Sequence, residues 1–151
     1  MAIVTVENLL GRAEKFERRL EEFYADLRDH SDDNGVRLLT YYLARHRRHV
    51  DKALAMLDPE DRERAGKVQL RFEVEFSPEE TFDLLGVPAD KVRGPDLLEV
   101  AIRYDEALVR FYRQMLGQQL PKETHELIES LIRIEEKDIV MLRKMLAMNY
   151  F

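Results

Sequence analysis

The sequence predicts an all-α fold in which four helices pack as two antiparallel hairpins joined by one long crossover. Three observations carry that expectation. Apolar residues recur at the helical period through four separate stretches. Within each pair the stretches are separated by only a few turn-forming residues, which makes their helices antiparallel neighbours. The composition, 45% hydrophobic and 36% charged with six glycines and five prolines, suits helices with one apolar and one heavily charged face. A length of 151 residues is one domain's worth, so residues 1–151 are read as a single bundle with its crossover at 58–95.

Helix A starts after Thr5 as N-cap and runs to about Asp29, with Val6, Leu9, Leu10, Ala13, Phe16, Leu20, Phe23, Tyr24 and Leu27 on its stripe. Ser31-Asp32-Asp33-Asn34-Gly35 is dense in turn formers and punctuates the chain. Helix B follows from about Val36 to Leu57 and stops before Asp58-Pro59. In the crossover, Val68, Leu70, Phe72, Val74 and Phe76 alternate with Gln69, Arg71, Glu73 and Glu75, a strand-like period of two. No second strand pattern offers a partner. The segment is therefore read as an extended strap across the bundle, with pairing to its own copy in a homodimer, through 68–76, as the alternative. Ser77-Pro78-Glu79-Glu80 supplies a cap, a proline and a capping-box acid for a short helix over 78–85, which Gly86 ends. Gly94-Pro95-Asp96 opens helix C, with Asp96 as cap and Glu99 at the third position, and the helix runs to about Gly117. Pro121 starts helix D, which continues nearly to the C-terminus. Met56, Met115, Met141, Met145 and Met148 sit at helical spacing and are read as core filler.

A formal charge of −6 and a pI near 5.3 argue against nucleic acid as a partner, since that role brings a basic footprint. There is no cysteine, which excludes disulfides and thiolate metal sites. Met1 to Leu10 lacks a basic region and a long apolar run, so no secretory signal is read. No stretch approaches the roughly 20 apolar residues that a membrane span needs. The expected location is the cytoplasm, with no membrane association.

Each of the four apolar stripes is interrupted by residues that do not belong in a core. Glu17 sits among Ala13, Phe16, Leu20 and Tyr24, and His46 and His49 sit among Tyr42, Val50, Ala53 and Leu57. Asp105 lies between Ala101, Leu108 and Tyr112, and Glu135 and Asp138 lie among Leu131, Ile132, Ile139 and Leu142. Carboxylates are almost never fully buried unless paired or bound to metal. A metal site is the leading explanation. A metal-free polar core, with the histidines charged against Glu135 and Asp138, is the plain one. Even with both histidines charged, four carboxylates leave an excess of negative charge.

The two halves of the chain echo one another. Glu17 stands seven residues before Tyr24 in Phe23-Tyr24, and Asp105 seven before Tyr112 in Phe111-Tyr112. His46-x-x-His49 matches Glu135-x-x-Asp138 at an offset of 89, which Met56-Leu57 and Met145-Leu146 share. With Leu98-Glu99-x-Ala101-Ile102 leading into helix C, the chain resembles the ferritin-like superfamily, and within it the rubrerythrin-like proteins, over nearly its whole length. The resemblance implies a four-helix bundle in which a carboxylate from helices A and C and a Glu-x-x-His motif from helices B and D hold two iron or manganese ions. Carried onto this sequence, the metal ligands are Glu17, His46, His49, Asp105, Glu135 and Asp138. Tyr24 and Tyr112 fall where family tyrosines pack beside the ligands.

This chain departs from the family pattern in three places. Helix B has His46 where the family has its first Glu, helix D has Asp138 where it has His, and helix C offers Asp105 for Glu. A neutral imidazole has one free lone pair and cannot bridge two ions as a carboxylate does. Only Glu135 keeps bridging chemistry on these two helices. The expected result is an unequal pair of sites: an imidazole-rich one from Glu17, His46, His49 and Glu135, and an all-oxygen one from Asp105, Glu135 and Asp138. Imidazole suits zinc, iron and manganese, and oxygen ligands suit manganese or magnesium. The expected function is metal binding, by one ion or two, with oxidoreductase chemistry of the rubrerythrin-like type and no haem or nucleotide. The alternative is a degenerate, metal-free bundle that serves as a structural or interaction module.

Overall fold

The computed structural model describes residues 4–45, 49–71 and 88–148. Its α-helices are α1 (Val6–His30), α2 (Asn34–Arg45), α3 (His49–Ala55), α4 (Pro59–Gly66), α5 (Gly94–Leu116) and α6 (Lys122–Ala147), with a 3-10 turn at Ala89–Lys91. The described residues are helical in all their long elements and contain no strand.

The local chemistry explains the boundaries. Thr5 caps α1: its hydroxyl accepts from the Asn8 backbone N–H at 3.2 Å, and its own N–H donates to Asn8 Oδ1 at 3.1 Å. The turn-forming run ends earlier than its composition suggests, because Asp33 Oδ1 accepts from the N–H groups of Gly35 (2.8 Å) and Val36 (3.2 Å). Asp33 is thus the effective cap, and Asn34 and Gly35 already belong to α2. The span expected for helix B, 36 to 57, is occupied by α2 and α3, with 46–48 outside the described residues.

Helix α5 begins two residues before the expected cap. Asp96 is not the N-cap; it is the third helical residue, and its carboxylate accepts from the Arg93 backbone N–H at 3.3 Å. Pro95 makes this possible, because a residue without an N–H costs nothing in a first turn. The negative charge of Asp96 also lies against the positive end of the helix dipole.

Crossover residues 59–66 form a helix that the apolar pattern does not announce. Asp58 caps α4 by accepting from Glu60 N–H at 3.3 Å, Pro59 opens it, and only Ala65 is buried. Its end closes tightly on α1: a β-carbon on Gly66 would stand 3.3 Å from Glu7 Cβ. The first residues of the alternating segment have a partner in their own chain. Thr5 and Gln69 form an antiparallel bridge, with Val6 N–H donating to Val68 O and Leu70 N–H to Val4 O, each at 2.9 Å. Residues 72–76 and the short helix expected over 78–85 lie outside the described residues.

Helices α5 and α6 pack most extensively on one another, and α1 packs on α2. Arg113 meets Glu136 at 2.6 Å and Arg143 meets Glu106 at 3.0 Å. A step of seven residues up α5 is therefore a step of seven down α6, the register of an antiparallel hairpin. Contacts of α2 with α5, and of α3 with α6, close the two hairpins on one another. The methionines divide: Met115 is buried and Met145 packs against the core, but Met56, Met141 and Met148 are exposed, Met56 at 88%. Met56 lies just past the end of α3. No described helix is long and apolar enough to cross a membrane.

Candidate metal centre

Four helices deliver the interrupting residues to one place in the core. Glu17 comes from α1, His49 from the first turn of α3, Asp105 from α5, and Glu135 and Asp138 from α6; their exposures are 2, 7, 0, 0 and 8%. His46 lies outside the described residues. The spacing of Glu135 and Asp138, three residues apart on α6, puts both on the face turned toward α3 and α5.

The side chains form two overlapping groups. In one, Glu17, His49 and Glu135 each place a ligand atom within 4.8 Å of the others; in the second, Asp105, Glu135 and Asp138 do the same. Glu135 belongs to both. Its Oε1 is 2.9 Å from His49 Nδ1, and its Oε2, buried, has no hydrogen-bond partner among the described residues.

This chain matches no protein-family model, no curated protein and no solved structure.

The donor set fits a divalent cation. In an octahedral set, bonds of about 2.1 Å put two adjacent ligand atoms roughly 3.0 Å apart and two opposite ones roughly 4.2 Å apart. The 2.9 Å contact is compatible with two adjacent positions of such a polyhedron. The charge balance points the same way. No lysine or arginine is among the buried residues described, and His49 is the one buried histidine among them. Four ionised carboxylates and a neutral His49 would be balanced by two divalent ions.

Tyr112 stands within this field. It is fully buried, its hydroxyl has no hydrogen-bond partner among the described residues, and Tyr24 is equally buried one helix away. The two halves keep the same local ring pairs, with Phe23–Tyr24 centroids 5.6 Å apart and Phe111–Tyr112 centroids 5.7 Å apart. Burial, followed by the charges of Glu135, Glu17, Asp105 and Glu14, pushes the Tyr112 phenol well above its ordinary range. An unfolded tyrosine ionises near pH 10. The stability associated with keeping Tyr112 neutral is therefore fully present below pH 10 and is lost as pH rises from there toward its folded value, at about 1.4 kcal/mol per pH unit. Tyr112→Phe should remove that share of the alkaline slope in stability curves measured between pH 9 and 11. In ion-free protein it should also raise stability by about 1–3 kcal/mol, by deleting a buried hydroxyl without a partner. An unchanged slope would show that Tyr112 titrates like an exposed phenol.

Two further groups lie at the rim, and one of them, Glu14, escapes a search for polar residues inside the stripes. Glu14 lies beside Asp51, and burial, then the Asp51 charge and the contact of the two carboxyl groups, raise its pKa, while Arg18 and Arg62 oppose the rise. Glu14 also lines a cleft of about 620 Å³ beside α4 with Leu54, Arg62 and Lys67. Its place three residues before Glu17, on the same helix face, is the signal that finds it. Tyr42 is raised by burial and then by the Asp138 charge, which sets it beside the second group.

Proposed function

We propose that this protein is a ferritin-like metal-binding helical bundle, whose ions sit in the core between its two hairpins. The observation that carries the reading is the pair of buried ligand groups sharing Glu135. The internal repeat, the hairpin pairing and the long crossover agree with a rubrerythrin-like relative of altered ligand pattern. Glu17, His49 and Glu135 would hold one ion, and Asp105, Glu135 and Asp138 a second. Iron, manganese or zinc bound there would supply a Lewis acid, and for iron or manganese a redox centre, which is the basis for oxidoreductase chemistry. The chain's own contribution is to fix five ligands from rigid helices, to exclude water with the surrounding Leu20, Leu108, Leu131 and Leu142, and to set the neutral Tyr112 phenol beside the carboxylates.

Protein purified without chelator and then given iron, manganese or zinc should hold at least one ion per chain by elemental analysis. Less than a few tenths of an ion under all three conditions removes the reading.

One observation favours a second reading, a metal-free bundle that acts as a structural or interaction module: His49 and Glu135 already satisfy one another at 2.9 Å. Replacing a buried ion pair by apolar residues of similar volume is often neutral or stabilising, by about 1–4 kcal/mol. His49→Leu combined with Glu135→Leu should show that effect in ion-free buffer, by denaturant melts. Added ions separate the readings. A metalloprotein loses its ion-dependent stabilisation in this double variant, whereas a metal-free module shows none in either form.

A further inference from the structure

We propose that the two buried groups select different ions, so that the centre loads as a mixed pair: a nitrogen-preferring ion such as zinc at Glu17–His49–Glu135, and a hard ion, manganese or magnesium, at Asp105–Glu135–Asp138. The proposal rests on the metal-binding reading above and deepens it.

The donors differ in kind. The first group joins one imidazole to two carboxylates, and the second contains carboxylate oxygens only. Imidazole favours ions late in the first-row order, whereas an oxygen-only set takes magnesium and manganese well. The contrast follows from the chain's own residues: the fourth residue of the α6 motif is Asp138, so no imidazole enters the second group from that helix.

Glu135 divides its oxygens between the groups. Oε1 lies 2.9 Å from His49 Nδ1, which sets it on the side of the nitrogen-containing group. Oε2 is buried and has no hydrogen-bond partner among the described residues, which leaves it for the all-oxygen group. A carboxylate drawn on from both sides also couples the sites. The first ion consumes part of the negative charge that the second needs, so two copies of one ion compete with a pair in which each takes its preferred donors. Asp138, at 8% the most exposed member of its group, stands where a hard ion could keep some of its water.

The test uses the unmutated chain, stripped with chelator and mixed with equal concentrations of zinc and manganese, both in excess. After gel filtration, elemental analysis should find about one of each per chain, and the bound manganese should give an electron paramagnetic resonance signal distinct from the aqueous ion. With zinc alone, calorimetric titration should resolve one tight ion and a second at least roughly tenfold weaker. His49→Gln should weaken the zinc step and spare manganese; Asp138→Asn should do the reverse, with circular dichroism confirming that both variants keep their helices. Two zinc ions per chain from the mixture, or equal loss of both metals in His49→Gln, overturns the selectivity and leaves metal binding standing. Failure to bind either ion overturns both.

Discussion

Stripping divalent ions from this protein should lower its stability by about 4 kcal/mol for each site held at a thousandfold excess over its dissociation constant. For a chain of this size 1 kcal/mol corresponds to about 2–4 °C, so one site is worth roughly 8–16 °C in Tm. The sign follows from the core. Glu17, Asp105, Glu135 and Asp138 are held together by packing whether or not a cation is present, so their mutual repulsion arises in the folded state that gathers them and a bound cation relieves it there alone. Scanning calorimetry with and without chelator measures the difference. Glu135→Gln should abolish most of it, because this residue belongs to both ligand groups. Glu63→Gln, an exposed change in the Lys67 ion pair, should leave it intact. A chelator-insensitive Tm in the unmutated protein would end the metal reading.

Much of this architecture is legible in the sequence where one physical signal dominates. The long helices announce themselves because Val6 to Leu27, and likewise Leu97 to Met115 and Leu127 to Leu142, bury one continuous stripe. The centre is legible for the complementary reason: a carboxylate inside such a stripe conflicts with its neighbours. Glu17, Asp105, Glu135 and Asp138 each raise that conflict, and all four are found buried together with His49. Helix α4 escapes the same method because it has almost nothing to bury. Its start is written in Asp58-Pro59-Glu60, but those residues also read as the stop of the preceding helix, and only Ala65 would have marked an apolar face. The pairing of Gln69 with Thr5 is hidden differently. Val4-Thr5-Val6 is too short to register as a strand, and Thr5 is simultaneously the cap of α1. Helix starts at Asn34 and Gly94 moved by two and three residues because single side chains, Asp33 and Asp96, capture N–H groups that composition alone cannot assign.

Tyr104→Ala should cost about 3–5 kcal/mol, the range for emptying a buried aromatic site. Tyr104 is fully buried on α5, and its ring stands edge-on to Phe16 at 5.7 Å and to Phe23 at 6.3 Å, both on α1. Edge-to-face pairs of this kind add about 0.5–1.5 kcal/mol beyond their buried area. Phe16 precedes Glu17, and Tyr104 precedes Asp105, so this aromatic contact sets the spacing of α1 and α5 next to the carboxylates that each helix supplies. The cavity should therefore be felt twice: as a lower denaturant midpoint, and as weaker ion binding in protein that is still folded. Tyr104→Phe keeps both ring contacts and should retain most of the stability and the ion affinity. If Tyr104→Ala destabilised the fold but left ion affinity unchanged in the folded protein, the ligands would be positioned by their own helices rather than by this contact.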